Sequence, residues 1–353
     1  MKYVKTLAIW VVISLVAQTT LLLFLNNYYL GDEKKIVYKD MIVKKQEKLT
    51  EKYYTLPKEA EKFSASYDGK YFSYYVGNII NVVNAENFER KEINLEAQSN
   101  KSISKWLDDR NRLVIAETQK VNNVNKIKFF SYDAKDASKV ETKDFINNKE
   151  VSIKLENEVS EIKDIVFNTM NTVFYPKVNQ SINHGYVYRI DVAQPIETLK
   201  LQSVNIGEIQ IIKNEDKIVY EDADTKKVYI GKNKKPLGIE AKDGVSLLKV
   251  DAEGEIYVGS MTNGLVENIY HGKSTEAENS WKQLKLKEPA SIEEIYITST
   301  GGIYVNNKNK MSIFDVLNSV NFPYEGVLLK NYDNGIFYLK NNSMVIKKEF
   351  SLN

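Results

Sequence analysis

No cysteine occurs among the 353 residues. That absence excludes disulfides, thiolate metal sites, a cysteine nucleophile and lipid attachment through a cysteine. It says nothing about compartment, since exported proteins without disulfides are common. Arginine is nearly as scarce, at Arg90, Arg110, Arg112 and Arg189 only, while lysine and asparagine abound. This skew reflects AT-rich coding rather than chemistry. None of the 6 prolines is expected inside a central strand. Excess positive charge is lacking as well: the net charge is +2, and setting Lys2 and Lys5 aside leaves zero. A nucleic-acid binder needs a basic stripe, so nucleic acid is not an expected partner.

One long apolar run stands out from this polar chain. TLAIWVVISLVAQTTLLLFL, residues 6–25, carries no charge. At about 1.5 Å per helical residue it matches a hydrocarbon core of roughly 30 Å. A cleaved signal peptide would have an apolar stretch of about 7–15 residues ending on an A-x-A-like site. Here the one small residue near a plausible cut is Ala17, with Leu15 two places before it, and the run continues to Leu25. The expectation is an uncleaved transmembrane signal anchor over 6–25, behind a short cytoplasmic tail, 1–5. Ser14, Gln18, Thr19 and Thr20 either mark a face for another membrane helix or are tolerated in a single span, the second being favoured. Lysines flank both ends almost equally, and the short tail favours translocation of the chain beyond the helix. The expected location is therefore the cell membrane, single-pass, with the bulk of the chain extracytoplasmic. Residues 26–50, charged and nearly free of glycine, read as a solvated stalk.

About 325 residues lie beyond the apolar run, more than the usual ~100–200 of one domain, although all-β rings run longer as one unit. Tyr, Val, Ile and Phe crowd short segments at period two, as in YFSYYVG and GEIYVGS, the pattern of half-buried strands. Between them lie Asp68-Gly69, Asp251 to Gly254, Gly301-Gly302 and Asp333 to Gly335, residues that supply tight turns. The unit of strand, acidic or glycine turn, aromatic strand and further strands recurs, with first turns near residues 68, 108, 169, 214, 252, 300 and 333. Their separations scatter about the ~40–50 residues of WD40-like and other propeller blades. The fold class expected is all-β, a β-propeller of about seven (six to eight) four-stranded blades over 51–353, preceded by one N-terminal transmembrane helix. A lone blade cannot cover both faces of its sheet, whereas a closed ring covers them and leaves few edges. The seventh unit has three strands, so EKYYTLP (51–57) is expected to supply its missing strand through residues 51–56.

Two of these units resemble known repeats. SYDGKYFSYYVGNIINVVNAE (66–86) resembles those of TolB-like and dipeptidyl-peptidase IV N-terminal propellers, with their S-x-D-G-K-x-(aromatic) turn. AEGEIYVGSMTNGLVENIY (252–270) is similar to the two-component-regulator propeller repeat. STEAENSW (274–281) sits where an Asp-box would, with Glu276 and Glu278 replacing its aspartate and glycine. These resemblances imply bacterial membrane-anchored propellers and leave activity open, because propellers host many unrelated functions. The peptidases of the first family carry a G-x-S-x-G elbow, which this chain lacks. Sialidase-like propellers need an arginine triad, for which Arg110 and Arg112 offer one corner at most.

The remaining candidates are few. His184 and His271 could meet in a central channel and bind a metal, but no ligand-spaced carboxylate accompanies either, and two separate turn residues are the favoured reading. Asp108-Asp109, Asp222/Asp224 and Glu293-Glu294 could serve acid–base chemistry or calcium; surface turns explain them better. Trp106, Trp281 and the 23 tyrosines could stack on sugars. Tyr74, Tyr257, Tyr304 and Tyr338 fall at matching strand sites, which points instead to packing between blades with the hydroxyl at a rim. The expectation is no catalytic, cofactor-binding or metal residue, no cofactor and no enzyme. It is a membrane-held platform for envelope proteins or glycans, or else a sensor or substrate-binding subunit for an extracellular polysaccharide.

Overall fold

The computed structural model describes residues 10, 14–23, 52–96, 101–144, 148–168, 172–181, 183–191 and 193–350. The chain divides into two compact units, Met1–Glu51 and Lys52–Asn353. In the first, residues 14–23 are helical. The Thr19 and Thr20 hydroxyls donate to the carbonyls of Leu15 and Val16 at 2.7 and 2.8 Å, so they are satisfied inside the helix. Among the described residues no helix is long and apolar enough to cross a membrane. Residues 6–9, 11–13, 24 and 25 of the expected span, the tail 1–5 and the stalk 26–50 lie outside the described residues.

The second unit is a ring of seven antiparallel sheets. Strand β1 (Tyr54–Thr55) precedes them. Blade 1 holds β2 (Glu61–Ala65), β3 (Tyr71–Val76), β4 (Ile79–Asn84) and β5 (Arg90–Asn94). Blade 2 holds β6 (Ser102–Trp106), β7 (Arg112–Val121), β8 (Val124–Asp133), β9 (Ser138–Glu141) and β10 (Ser152–Lys154). Blade 3 is β11 (Glu161–Phe167), β12 (Val173–Ser181), β13 (His184–Asp191) and β14 (Glu197–Thr198), and blade 4 is β15 (Ile206–Ile212), β16 (Lys217–Asp222) and β17 (Lys227–Ile230). Blade 5 runs through β18 (Val245–Val250), β19 (Glu255–Thr262), β20 (Leu265–Lys273) and β21 (Lys282–Ala290). Blade 6 comprises β22 (Ile295–Ile297), β23 (Ile303–Asn307), β24 (Ser312–Asp315) and β25 (Val320–Pro323). Blade 7 has β26 (Val327–Tyr332), β27 (Gly335–Lys340) and β28 (Met344–Glu349), and β1 completes it.

That completion is the ring closure expected from the sequence. Tyr54 pairs with Val345 and Thr55 with Met344, and the Leu56 amide donates to the Ser343 carbonyl at 2.7 Å. The expected four strands hold in five blades. Blade 4 has only three, with residues 232–244 returning as coil and the Leu237 amide reaching the Val228 carbonyl at 2.8 Å. Blade 2 has five, because β9 and β10 pair with different halves of the long β8.

Seven apolar cores, one between each pair of neighbouring blades, hold the ring. The core of blades 2 and 3 joins Ile127, Phe129, Ile153, Ile165, Phe174 and Val178, and that of blades 7 and 1 joins Phe72, Tyr74, Tyr332 and Phe337. Each such side chain stabilises by about 1.5–3 kcal/mol when fully buried, so each blade draws stability from its neighbours. Tyr74 and Tyr338 pack toward the preceding blade, Tyr257 and Tyr304 toward the following one. All four therefore pack between blades, but at two kinds of site rather than one. Gly69 illustrates why the Asp-Gly turn is needed: its φ is +64°, and an added Cβ would lie 2.7 Å from the Tyr332 ring.

Candidate functional site

The first strands of the blades, β2, β6, β11, β15, β18, β22 and β26, surround the ring's centre, with β2 adjoining both β6 and β26. Five of them carry a bulge: pairing skips between Glu61 and Ser64, Ile162 and Asp164, Ile206 and Ile209, Leu247 and Lys249, and Leu328 and Lys330. A bulge re-aims the side chains beside it. Asp164, Lys249 and Lys330 stand where pairing resumes, and Glu208 lies within its bulge. The bulges thus place charge in strands that are otherwise apolar.

These charges act on one another across the channel. Lys105 of blade 2 pairs with Asp164 of blade 3 at 2.7 Å. Asp108, in the first turn of blade 2, accepts from Lys213 of blade 4 at 3.2 Å and lies 3.8 Å from Lys249 of blade 5. Burial works against ionisation of Asp108, but Lys249, Lys213 and Lys105 prevail and bring its carboxyl down to about 2. Lys330 and Glu208 have no ion-pair partner among the described residues; Glu208 accepts only from the Gln210 amide, at 2.8 Å. Both residues are exposed at the inner edge of their blades, with protein crowding their charged ends. Burial lowers the Lys330 pKa, and repulsion from Lys105 and Lys249 adds to that, with Glu208 opposing. Burial raises the Glu208 pKa, Lys105 opposes it, and Asp164 reinforces it. A lysine and a glutamate, each pushed toward neutrality chiefly by burial, face the channel.

Two cavities open beside these groups. One of about 70 Å³ is lined by Trp106, Asp108, Asn168, Gln210, Lys213 and Lys249 at the turn end of the first strands. The other, about 510 Å³, lies between blades 6 and 7 and is lined by Tyr296, Asn306, Lys308, Tyr324, Lys330 and Asn331, among others. The second falls in the usual range of small-molecule sites. A third, about 440 Å³, lies toward the outside of blades 3 and 4, where Arg189 is held by Asp191 at 3.1 Å and Asp216 at 2.9 Å. The Tyr175 hydroxyl donates to Asp216 at 3.0 Å, and burial beside that carboxylate pushes its pKa up to about 12.

Most of the residues singled out in the sequence have structural duties. His184 packs edge-on against Tyr186 in blade 3, while His271 of blade 5 bonds Glu255 at 2.8 Å and stacks on Tyr257. They lie in third strands of different blades, and among the described residues no cluster of three potential metal ligands exists. Asp109 pairs with Arg110, Asp222 accepts the amides of Asp224 and Thr225, and Glu294 caps the short helix Ile292–Glu294. Trp106 and Trp281 are buried in blade interfaces, Trp106 donating to Ser73 at 3.1 Å, so neither is a sugar-stacking platform. The turn acids join neighbours: Asn111 donates to Asp68 at 3.0 Å, and Ser299 and Tyr296 donate to Asp333. The channel residues Lys105, Glu208, Lys249 and Lys330 escaped notice in the sequence. Their signal is a charge breaking an apolar first strand, as in SISKW, SLLKV and VLLKNY.

No family model matches the sequence, and no curated protein matches it. Solved structures do. A chain in the crystal structure of a mitotic checkpoint complex matches with TM-score 0.52 at 11% identity, over 84% of this chain and 94% of that one. A prolyl endopeptidase matches with TM-score 0.50 at 10% identity, over 82% of this chain and 46% of that one. This chain therefore spans about half the length of that enzyme. The β-propeller domain of the trilobed protease from Pyrococcus furiosus matches at 14% identity, over 83% and 86% of the chains, with TM-score 0.44. At these identities the likeness is one of fold, and the fold is a seven-bladed β-propeller.

Proposed function

We propose that this protein is a non-enzymatic binding propeller, held at the outer face of a cell membrane by the apolar segment 6–25 and built to capture a charged small ligand in its channel. The observation that carries this reading is the pair Lys330 and Glu208, both open to the channel and neither neutralised by an ion-pair partner among the described residues. A purely structural channel would pair these charges, as it pairs Lys105 with Asp164. The carboxylates of Asp68, Asp216 and Asp333 are taken up in bonds to neighbouring blades, which supports binding over catalysis. Membrane placement rests on the length and neutrality of 6–25, and the resemblance of 66–86 to TolB-like repeats agrees with an envelope role.

A platform for envelope proteins or glycans is the second reading, favoured by the closed ring, whose rigid faces suit partner docking. Thermal-shift screening of the full chain in detergent separates the two. Stabilisation by a small charged compound, lost in Lys330→Met or Glu208→Gln, supports capture in the channel. Stabilisation by none, with a partner protein retained on affinity purification, supports the platform.

A further inference from the structure

We infer that Lys213 and Lys249 form an oxyanion site at the turn end of the channel, sized for phosphate or sulfate, and that Asp108 fills it as a tethered substitute for the anion. The inference concerns groups other than Lys330 and Glu208 and does not depend on capture there. Its ground is a contact that passes over a blade. Asp108 follows β6 of blade 2, yet its Oδ2 accepts from Lys213 of blade 4 at 3.2 Å and lies 3.8 Å from Lys249 Nζ of blade 5. Blade 3 lies between. Ammoniums from two blades thus converge on one oxygen of a third, and among the described residues neither lysine has another ion-pair partner.

The three side chains are unequally enclosed. Lys213 and Lys249 are 16% and 24% exposed, whereas Asp108, the acid that must answer both, is 40% exposed. Asp108 stands in a bend beyond the last paired residue of β6, so its side chain can turn to solvent without breaking a sheet bond. Two cations held in the wall, with their shared counter-ion hung from a loop, describe a site whose occupant is exchangeable. One carboxylate also serves them poorly. It leaves one positive charge unanswered, and at 3.8 Å Lys249 is beyond hydrogen-bond reach. The neighbouring Lys105 is already matched by Asp164 at 2.7 Å and does not draw on Asp108 for its partner. A dianion with several oxygens gives Lys213 and Lys249 a short charge-assisted bond each and cancels both charges. The cavity beside them, about 70 Å³, has the volume of roughly two waters, enough for a tetrahedral oxyanion and too little for a sugar or nucleotide. Its amides are committed elsewhere, Asn168 to the amides of Thr172 and Val173 and Gln210 to Glu208, so recognition falls to the lysines.

The test is rescue by anions, followed by thermal unfolding of the full chain in detergent. Asp108→Asn removes the tethered acid and should lower the melting temperature at neutral pH. Phosphate or sulfate at about 10 mM, above the millimolar scale of a tethered competitor, should restore it, and chloride at equal ionic strength should not. Calorimetry should show phosphate binding to Asp108→Asn at least about tenfold more tightly than to the parent. Lys213→Met added to Asp108→Asn should abolish both the rescue and the binding. If Asp108→Asn does not fold in chloride, refolding in phosphate alone supports the site, and failure in both salts overturns it. Equal phosphate affinity in the parent and Asp108→Asn overturns the role given to Asp108. Rescue that chloride matches, or that survives Lys213→Met, overturns the site. Capture at Lys330 and Glu208 outlives each of these failures, because thermal-shift hits that depend on those two residues are read independently of Lys213→Met.

Discussion

At the scale of single residues, the channel holds charge at a cost in stability. Folding lowers the pKa of Lys330, so between that lowered value and the ordinary ~10.4 the unfolded chain binds more protons than the folded one. Stability contributed at this site is therefore smallest when the lysine is charged and rises as pH climbs through that interval. Lys330→Met removes the repulsion from Lys105 and Lys249 while keeping the stem. Its midpoint of thermal unfolding at pH 7 should equal or exceed that of the parent, and the rise in stability toward alkaline pH should shrink. A clearly lower midpoint would show Lys330 to be paired and structural. Asp108 behaves oppositely. Its carboxyl is held at about 2, so its stabilisation is complete above about 4 and is lost as pH falls through 2. Asp108→Asn should lose less stability than the parent between pH 4 and 2, measured by circular dichroism. It should also be less stable than the parent at neutral pH, because Lys213 and Lys249 then lack their acid.

At the scale of elements, the two-residue strand β1 matters more than its length suggests. Tyr54 lies edge-on to Phe72 at 5.4 Å, and its hydroxyl meets that of Tyr74 of blade 1 at 2.7 Å, while its backbone belongs to blade 7. One side chain thus ties the first blade to the last. Tyr54→Ala should cost about 2–4 kcal/mol, less than a fully buried aromatic because the ring is half-exposed. Hydrogen exchange should quicken in β3 and β28 before the other blades, and uniform exchange across all seven would refute a local closure. The sequence announced this strand because EKYYTLP stands one strand ahead of an incomplete last unit, and it announced the first turns through Asp, Asn and Gly, the one near residue 169 lying outside the described residues. It could not announce β10, three residues of ordinary composition recruited only because β8 is ten residues long. Nor did it disclose the missing fourth strand of blade 4, where residues 232–244 turn back as coil and meet β17 through the Leu237 amide. The channel lysines were hidden for a related reason. Period-two alternation assigns Lys249 and Lys330 to a solvated face, and only the bulges beside them, invisible in composition, turn them toward the centre.

At the scale of the whole molecule, the two compact units dispose their apolar side chains differently. The ring segregates its apolar side chains into seven inter-blade cores and spreads near-balanced charge over the rest. The segment 6–25 does neither, with twenty uncharged residues in a row. Within its described part, Leu15, Val16, Leu21, Leu22 and Leu23 are exposed and the threonine hydroxyls are bonded along the helix axis. In water that exposed surface is unfavourable by about 25 cal/mol per Å², whereas a bilayer removes the penalty and asks only that polar groups be satisfied internally, as Thr19 and Thr20 are. The full chain should therefore sediment with membranes and resist extraction by alkaline carbonate, and a chain starting at Lys52 should stay in the supernatant with an unchanged melting temperature. Protease added to intact cells should degrade the propeller from outside if the domain is extracytoplasmic. Protection of the propeller in intact cells and its loss only after lysis would reverse the orientation. Release of the full chain by carbonate would remove the anchor altogether and leave a ring whose channel must then be supplied from a different compartment.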